Sequence, residues 1–199
     1  MIIVMLMTGS LSEDIEKLKQ SFKGLPQPQV EPPFIVISGL PGTGKSFFCR
    51  KLAERAPFVI LSSDALRKIL FPSPQYDENE NRRLFPACHA LIEELLTKGI
   101  PIIFDATNLL ERHREYLYRA AEKAGANIIL VRVEAPAELA QQRLRTREKA
   151  VASQDDSEAG WEIYQKMKPQ RERISRNHFV VYTSRDITPA IDKIMRAIR

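Results

Sequence analysis

Residues 39–46, with the sequence GLPGTGKS, constrain the fold of this chain more than any other stretch. They fit the pattern G-x-x-x-x-G-K-[ST] at every fixed position. The apolar run 34–38 (FIVIS) precedes them and predicts a buried strand, and residues 47–53 (FFCRKLA) predict the start of a helix. A strand, a glycine loop and a helix in this order are the context that a phosphate-binding loop requires, which disfavours a chance match.

The residue types in this loop suit a polyphosphate ligand. Three glycines let the backbone turn tightly, so that successive N–H groups point at one anion, and the helix that follows adds the positive end of its dipole. Lys45 is predicted to contact the β- and γ-phosphates, and the Ser46 hydroxyl to ligate Mg²⁺. The residues predicted to bind a nucleoside triphosphate, which we interpret as ATP, are Gly39, Leu40, Pro41, Gly42, Thr43, Gly44, Lys45, Ser46 and Phe47.

Apolar runs and helical segments alternate along the rest of the chain. Helices separate the runs, and the longest, at about 79–98, contains Pro86, which is predicted to kink it or split it in two. Continuous apolar strands alternating with helices predict an α/β fold with a parallel sheet covered on both faces. Strands are predicted at 34–38, 58–62, 100–105, 127–133 and 179–182.

Residues 1–33 are predicted to form an N-terminal extension, and residues 34–199 the main domain. Within the extension, residues 10–24 predict a helix capped by Ser10 or Ser12, and four prolines between 26 and 33 predict a stiff linker. The apolar stripe of this helix could pack on the core or on a partner subunit, which would make the chain a homo-oligomer. A mobile arm is the alternative.

Composition indicates a cytoplasmic protein. The chain of 199 residues carries two cysteines, Cys49 and Cys88, far apart in sequence, so a disulfide framework is not indicated. The apolar start, residues 1–7, is too short to span a membrane and lacks the basic region of a signal peptide. The formal net charge of +5 allows a polyanionic partner such as nucleic acid.

Asp105 ends a predicted strand and is the candidate acid of the magnesium site, together with Ser46. The alternative is that Asp105 begins a turn or caps the next helix. An ATP-driven motor would carry an acidic residue directly after this aspartate, but Ala106 stands there and argues against a hydrolytic motor. The chain also lacks the N-K-x-D sequence that reads guanine.

Asp64 follows the predicted strand at 58–62 and is the candidate catalytic base. The carboxyl ends of parallel strands converge on one crevice, so its carboxylate could orient an attacking hydroxyl and accept its proton. Arg67 lies one helical turn later and could hold an anionic acceptor. The alternative is that Ser63 or Asp64 only caps the helix and that Arg67 is solvated.

Arg143 and Arg147 are four residues apart and share one helix face. Cations at this place could close over the triphosphate and stabilise charge during transfer. The small polar residues 150–158 that follow are predicted to be mobile, and the lid is placed at about 143–160. An exposed basic stripe is the alternative interpretation of the two arginines.

The histidines and the large aromatic residues of the second half are not assigned to the site. His89 and His113 have no partner that the sequence identifies, so we interpret them as core or helix-surface residues. Trp161 and Tyr164 are interpreted as packing residues.

Four segments, GLPGTGKS, LSSDALRK, IIFDATN and RLRTR, together resemble a family of small kinases with a phosphate-binding loop. This family includes polynucleotide 5′-hydroxyl kinases, chloramphenicol phosphotransferase and zeta-type toxins. The resemblance covers residues 34–199 and implies a five-stranded parallel sheet with a mobile lid. It implies that Asp64 is the general base and that Arg67 anchors the acceptor. It also implies that Thr107 and Asn108, beside Asp105, line the crevice near the metal and bind the acceptor, and that Arg143 and Arg147 are the arginines of the lid.

The sequence therefore predicts an ATP- and Mg²⁺-dependent phosphotransferase that moves the γ-phosphoryl group to a hydroxyl. The acceptor is a small molecule or a nucleic acid 5′ end, and the sequence does not name it. One alternative is a nucleotide-binding module that regulates a partner without an acceptor of its own. The other is a zeta-toxin-like kinase of a nucleotide sugar.

Overall fold

Five short, mostly apolar strands form one parallel sheet, which confirms the predicted fold class. The strands are β1 (Pro33–Ser38), β2 (Val59–Ser62), β3 (Ile102–Asp105), β4 (Asn127–Glu134) and β5 (Phe179–Tyr182), in the spatial order β2-β3-β1-β4-β5. This computed structural model describes residues 2–22, 24–149 and 160–198, so the predicted mobile segment 150–158 lies outside the described residues.

Helices connect the strands, as a parallel sheet requires. Their bounds are α1 (Ile2–Gln20), α2 (Lys45–Ala53), α3 (Ser63–Leu70), α4 (Glu78–Thr97), α5 (Glu111–Ala124), α6 (Ala137–Lys149), α7 (Trp161–Met167) and α8 (Thr188–Ala197). A 3₁₀ turn at Lys168–Gln170 extends α7. Within the described residues, no helix is both long enough and apolar enough to cross a bilayer.

The sheet is buried on both faces. Phe34 and Val36 of β1 pack into a core with α1, α3, α4 and α5, whereas Ile35 and Ile37 pack into a second core with α2 and α8. Successive side chains of a strand point to opposite faces, so β1 reads as a continuous apolar run. Helices therefore cover both faces, as predicted.

The strand register brings three chain segments to the same edge of the sheet. Ile37 of β1 and Ser62 of β2 both pair with Asp105 of β3. The loop after β1, the start of α3 after β2 and the turn after β3 therefore emerge side by side. This is the edge of open parallel sheets at which ligands bind.

Helix α4 is continuous from Glu78 to Thr97, so the predicted split at Pro86 is wrong. Proline removes one backbone donor, which leaves the carbonyl four residues earlier, that of Arg82, without its helical partner. Both Pro86 and Arg82 are exposed, so water can bind that carbonyl. The helix tolerates the proline because the lost hydrogen bond lies on its solvent side.

Helix α1 begins at Ile2 and ends at Gln20, so the predicted start at residue 10 and the cap at Ser10 or Ser12 are wrong. The apolar residues 2–7 lack a helix breaker, and both serines lie inside the helix. The helix packs against α3 and α4. The division into an extension of residues 1–33 and a domain of residues 34–199 stays a prediction.

Two interactions fix α1 on α4. Leu18 is fully buried in the core on that side of the sheet. The carboxylate of Asp14, 1% exposed, accepts two hydrogen bonds from Arg83 of α4, both at 2.6 Å, from Nε and Nη2. This paired geometry is the strong form of an arginine–carboxylate contact. An alternative in which the helix is a mobile arm does not fit these contacts.

Replacing Leu18 by alanine should destabilise the whole protein if α1 belongs to the folded core. The expected loss in the free energy of unfolding is about 2–4 kcal/mol, because a fully buried leucine leaves a cavity. Leu25→Ala is the matched control, since Leu25 is 46% exposed, and should cost less than about 1 kcal/mol. Urea unfolding measures both. Equal stability of the two variants would show that α1 is undocked in solution.

Candidate active site

The loop 39–46 runs from the end of β1 to the start of α2 with two glycines in left-handed backbone conformations. Gly42 has φ of 74° and Gly44 has φ of 88°, a region that other residues rarely adopt. A Cβ at Gly42 would also lie 2.7 Å from the carbonyl oxygen of Ala140. The loop therefore needs glycine at this position for two independent reasons.

Hydrogen bonds hold the loop from both sides. The Gly39 N–H donates to the carbonyl of Thr107, which follows β3, at 3.0 Å. The Thr183 hydroxyl, which follows β5, donates to the carbonyl of Thr43 at 2.7 Å. The Thr43 hydroxyl donates to the carbonyl of Leu40 at 2.8 Å. The backbone that would hold the phosphates is thus braced by the sheet on either side of β1.

The first residues of α2 add positive charge to the loop. The Lys45 Nζ donates to the carbonyl of Leu40 at 3.1 Å, which keeps the ammonium over the loop. Lys45 and Ser46 are the first two residues of α2, so the positive end of the helix dipole acts at the same place. Phe47, 46% exposed, comes next.

A cleft of about 1940 Å³ opens over this loop. It is lined by most of the predicted site residues, and Gly39, Leu40 and Thr43 are the predicted ones outside its lining. The predicted residues that line it are Pro41, Gly42, Gly44, Lys45, Ser46, Phe47, Asp64, Arg67, Asp105, Thr107, Asn108, Arg143 and Arg147. Residues dispersed over more than a hundred positions of sequence therefore meet in one place.

Asp105 and Ser46 offer oxygen ligands at the floor of the cleft. Asp105 ends β3 beside the strand that carries the loop, and it is 4% exposed. A buried carboxylate next to a phosphate loop suits Mg²⁺, which takes one or two protein oxygens and completes its shell with phosphates and water. The donor set present here fits a magnesium ion bound together with a nucleotide.

Asp64 lies in the first turn of α3 but does not cap it. The cap is Ser62, whose hydroxyl accepts a hydrogen bond from the Ala65 N–H at 3.4 Å, so the expectation that Ser63 or Asp64 caps this helix is wrong. Asp64 is partly exposed and lines the cleft. Its carboxylate is left to face a ligand because Ser62 satisfies the helix end.

Arg67 is buried, 5% exposed, so the alternative of a solvated side chain is wrong. Its Nη1 pairs with Glu80 at 2.8 Å and its Nη2 donates to Asn81 at 2.6 Å. Its guanidinium also lies 4.9 Å from the ring centre of Tyr76. These contacts make Arg67 the link between α3 and the start of α4, in the wall of the cleft.

Glu80 organises the segment before α4. Its carboxylate accepts hydrogen bonds from the backbone N–H groups of Gln75 and Tyr76, at 2.7 and 2.8 Å, as well as from Arg67. Desolvation acts to raise the pKa of Glu80, but these hydrogen bonds and the Arg67 charge outweigh it and hold that pKa below its usual value. The contacts fix Tyr76 in its left-handed conformation, with φ of 56°.

Asn108 braces the edge of the sheet. Its backbone is left-handed, with φ of 41°, and its side-chain amide donates to the carbonyl of Ile37 at 2.7 Å. Its own carbonyl accepts from the Ser38 hydroxyl at 3.1 Å. Asn108 thus ties the end of β1 to the turn after β3. Thr107 beside it lines the cleft and receives the Gly39 hydrogen bond through its carbonyl.

Arg143 of α6 reaches the loop from the opposite wall. Its Nη1 donates to the Thr183 hydroxyl at 2.8 Å and its Nη2 to the Thr183 carbonyl at 3.0 Å. Desolvation lowers the pKa of Arg143, but an arginine in this environment stays protonated. Its Nη1 also lies 3.5 Å from the carbonyl oxygen of Gly42. All three acceptors are neutral groups, so they do not cancel its charge. Arg147, one turn later, lines the same cleft.

Four aromatic rings that the sequence analysis left unassigned line the other arm of the cleft: Phe85, His89, His113 and Tyr116. Ring centres are 6.2 Å apart for Phe85 and His113, 6.3 Å for Phe85 and His89, and 5.1 Å for His89 and Tyr116. The signal in the sequence was the spacing of four on α4 and three on α5, which puts each pair on one helix face. His89 and His113 are residues of helix surfaces, within the interpretation given above, and the structure adds the ring neighbours that the sequence does not identify. Trp161 and Tyr164 are packing residues as predicted, with ring centres 4.5 Å apart.

The environment of this aromatic cluster keeps its histidines neutral. Desolvation, with a smaller effect from the charge of His113, lowers the pKa of His89 to about 4. Desolvation also lowers the pKa of His113, followed by the charge of Arg112. Two uncharged imidazoles therefore lie in the cleft at neutral pH.

Gly42→Ala should impair the loop more than Gly125→Ala impairs the end of α5. Both glycines have positive φ, so each alanine costs about 1 kcal/mol of backbone strain. A Cβ at Gly125 meets nothing within 4 Å, whereas the one at Gly42 also lies 2.9 Å from Leu144 Cγ. We expect ATP affinity to fall at least about ten-fold for Gly42→Ala alone. Urea unfolding and ATP titration test this, and equal ATP affinity of the two variants would contradict it.

Acid should destabilise the wild type more than His89→Gln. The folded-state pKa of His89, about 4, lies below the unfolded value near 6.5, so its contribution is complete above pH 6.5 and is lost as the pH falls toward 4. At pH 5 the expected difference is about 1–2 kcal/mol. Urea unfolding at pH 7 and pH 5 measures it, with His178→Gln, at a half-buried histidine, as the control. Equal losses in wild type and His89→Gln would contradict a desolvated imidazole.

Two curated relatives match part of the chain. The L-seryl-tRNA(Sec) kinase of Methanococcus maripaludis is 29% identical over 110 residues, which are 53% of this chain and 42% of that protein. The adenylate kinase isoenzyme 6 homolog of Drosophila melanogaster is 33% identical over 89 residues, which are 44% of this chain and 47% of that protein. The matches span less than half the length of either relative.

A solved structure shares the fold over most of the chain. Kti12 of Chaetomium thermophilum, in complex with ADP-AlF3, has a TM-score of 0.67 and 21% identity over 84% of this chain and 100% of that one. The AAA domain family matches residues 34–174, from β1 to the segment before β5. This match takes in the phosphate loop, Asp64, Asp105, Arg143 and Arg147, and the chain belongs to the AAA domain family.

Proposed function

We propose that the protein is an ATP- and Mg²⁺-dependent kinase that transfers the γ-phosphoryl group to a hydroxyl. The observation that carries the proposal is the arrangement of one cleft. The phosphate loop and the buried Asp105 lie at its floor, and Asp64 lines the same cleft from the neighbouring strand end. A hydrolase needs only a water beside the phosphate. A cleft of about 1940 Å³ has room for a second, larger reactant.

Each residue has a role that follows from its place. The loop 39–46 binds the β- and γ-phosphates through its N–H groups, and Lys45 adds a full positive charge. Ser46 and Asp105 would hold Mg²⁺, which neutralises charge on the phosphates when it is bound. Asp64 orients the acceptor hydroxyl and takes its proton. Arg143 and Arg147 stabilise the charge that develops on the transferred group.

The structure refines two of the predicted acceptor contacts. Arg67 and Asn108 were predicted to bind the acceptor, but both are engaged within the protein, by Glu80 and by the carbonyl of Ile37. We therefore assign them to positioning: Arg67 fixes the wall formed by α3 and α4, and Asn108 fixes the turn after β3. Thr107, whose side chain lines the cleft, remains a candidate acceptor contact.

The relatives support phosphoryl transfer without naming the acceptor. The two curated relatives described above are kinases by name, one an L-seryl-tRNA(Sec) kinase and one an adenylate kinase isoenzyme 6 homolog. Solved structures of similar fold include an APS kinase with AMPPNP and APS, and a gluconokinase. These acceptors differ widely, so the specific resemblance to polynucleotide kinases, chloramphenicol phosphotransferase or zeta-type toxins stays a hypothesis.

Asp64→Asn should abolish transfer while leaving nucleotide binding intact. Removal of a general base costs about 10²–10⁴-fold in rate, and asparagine keeps the shape of the side chain. Lys45→Ala is the comparison variant and should weaken ATP binding as well. The assay follows label from γ-labelled ATP into a mixture of 5′-hydroxyl oligonucleotides and metabolites, beside an ATP titration of each protein.

Four outcomes separate the proposal from its alternatives. Label in an organic acceptor, lost in Asp64→Asn, supports the kinase and identifies the acceptor class. Label that enters nucleotide sugars alone supports the zeta-toxin-like activity. If Asp64→Asn transfers label as fast as wild type, Asp64 is not the base. ATP binding with no transfer by any variant would favour the regulatory nucleotide-binding module.

A further inference from the structure

The aromatic cluster formed by Phe85, His89, His113 and Tyr116 has features of a binding surface rather than of a core. Tyr116 is 60% exposed, and Phe85, His89 and His113 are all accessible to some degree. Exposed aromatic residues cost solvation unless a partner covers them. Three of the large apolar side chains exposed in the described residues, Phe47, Tyr116 and Ile163, line this one cleft.

The place of the cluster within the fold indicates which of the two ligands of the cleft it contacts. His113 and Tyr116 lie in the first two turns of α5, the helix that follows β3 and Asp105. Phe85 and His89 lie in the middle of α4, after Glu80 and Asn81, the two residues of this helix that contact Arg67. The cluster therefore lies on the acceptor side of the cleft, among the elements that follow β2 and β3. Asp64 and the four rings line the same cleft.

The size of the cleft argues against a small acceptor. Pockets for one small ligand are typically about 300–1,000 Å³, so about 1940 Å³ suits a nucleoside triphosphate and a second ligand of comparable size. A short polyol would leave the aromatic rings in water. An acceptor with a flat ring would cover them.

The chemistry of the rings favours a flat heteroaromatic partner. His89 and Tyr116 are nearly parallel, with an interplanar angle of 16°, and Phe85 and His113 with 25°. Stacked planes leave parallel outer faces, on which another planar ring can stack. The neutral imidazoles present uncharged faces, and Arg112, an exposed residue of the cleft lining, supplies a cation for a phosphodiester or phosphate.

We propose that this aromatic cluster is the acceptor platform, and that the acceptor carries a nucleobase which stacks on Tyr116 and His113 while its hydroxyl reaches Asp64. The proposal rests on the proposed kinase function and names its substrate class: a nucleoside, or the nucleoside at the 5′ end of a nucleic acid. The transfer forms one O–P bond to the acceptor oxygen and breaks the bond between the γ-phosphorus and the ADP oxygen. The acceptor proton goes to Asp64.

The test compares Tyr116→Ala with Tyr116→Phe and with Tyr182→Ala. Tyr116 and Tyr182 are 60% and 47% exposed, so neither alanine should unfold the protein, and Tyr182 lies outside the cleft lining. The acceptors offered are adenosine, a 5′-hydroxyl trinucleotide and glycerol. We expect Tyr116→Ala to raise KM for a base-bearing acceptor about ten-fold, with KM for ATP unchanged. Tyr116→Phe keeps the stacking ring and should raise this KM less than Tyr116→Ala, and Tyr182→Ala should behave as wild type.

The arms of the experiment distinguish the two sources of the base. Transfer to the trinucleotide in preference to adenosine, with an affinity that falls as salt rises, identifies a nucleic acid end. Transfer to adenosine with little salt dependence identifies a free nucleoside. Phosphorylation of glycerol in preference to both, unaffected by Tyr116→Ala, would keep the kinase function and overturn the nucleobase platform.

A binding measurement keeps the platform testable if none of these acceptors is phosphorylated. A 3′-labelled trinucleotide and labelled adenosine are titrated into the protein with a non-hydrolysable ATP analogue present. Binding that weakens about ten-fold in Tyr116→Ala, and not in Tyr182→Ala, would support the platform while the kinase function itself fails. Absence of binding of both probes to the wild type would overturn the platform.

Discussion

The close approach of the phosphate loop to the structure around it is the constraint on which the rest of the protein depends. A Cβ at Gly39 would lie 2.4 Å from the carbonyl oxygen of Val133 in β4, and one at Gly42 would meet α6. The loop can adopt this position only because Gly39 and Gly42 place no Cβ between its backbone and the backbone of β4 and α6. The order of the strands, the positions of the glycines and the site for the anion therefore depend on one another.

The positively charged side chains of the cleft are of two kinds: one is paired with a carboxylate of the protein, and the others contact only neutral protein groups in the hydrogen bonds described above. Arg67 is buried and compensated by Glu80, which a buried cation requires. Arg143 is held by the hydroxyl and carbonyl of Thr183, which are neutral, so its charge remains for a phosphate. Lys45 likewise contacts a carbonyl, that of Leu40. The cleft thus offers cations at the phosphate loop and a fixed, neutralised wall on the acceptor side.

The fold and the phosphate half of the site could be predicted because their signals are local. Each strand is a continuous apolar run, and the loop pattern has fixed spacing around Gly39 and Lys45. Because the carboxyl ends of parallel strands converge, the sequence alone predicts that Asp64 and Asp105 lie in the same crevice. Helix ends that depend on caps were less predictable: Ser62 rather than Ser63 or Asp64 caps α3, and α1 starts eight residues before its predicted start.

The acceptor half could not be predicted because its contacts join distant segments. The pairing of Arg67 with Glu80 depends on how the chain turns between α3 and α4, and the hydrogen bond from Asn108 to Ile37 spans 71 residues. The aromatic cluster forms across α4 and α5, so neither helix alone reveals it. Sequence spacing shows which residues share a helix face, but not which two faces meet.

The proposed function requires that the cleft transfers the γ-phosphoryl group to an organic hydroxyl and does not simply release it to water. Phosphorus NMR of ATP turnover by the wild type, with Mg²⁺ and a mixture of nucleosides, short oligonucleotides and polyols, tests it directly. If the protein is a kinase, the resonances of ADP and of a new phosphomonoester should grow together, with little inorganic phosphate. Growth of ADP and inorganic phosphate alone would contradict it, because the cleft would then act as a hydrolase.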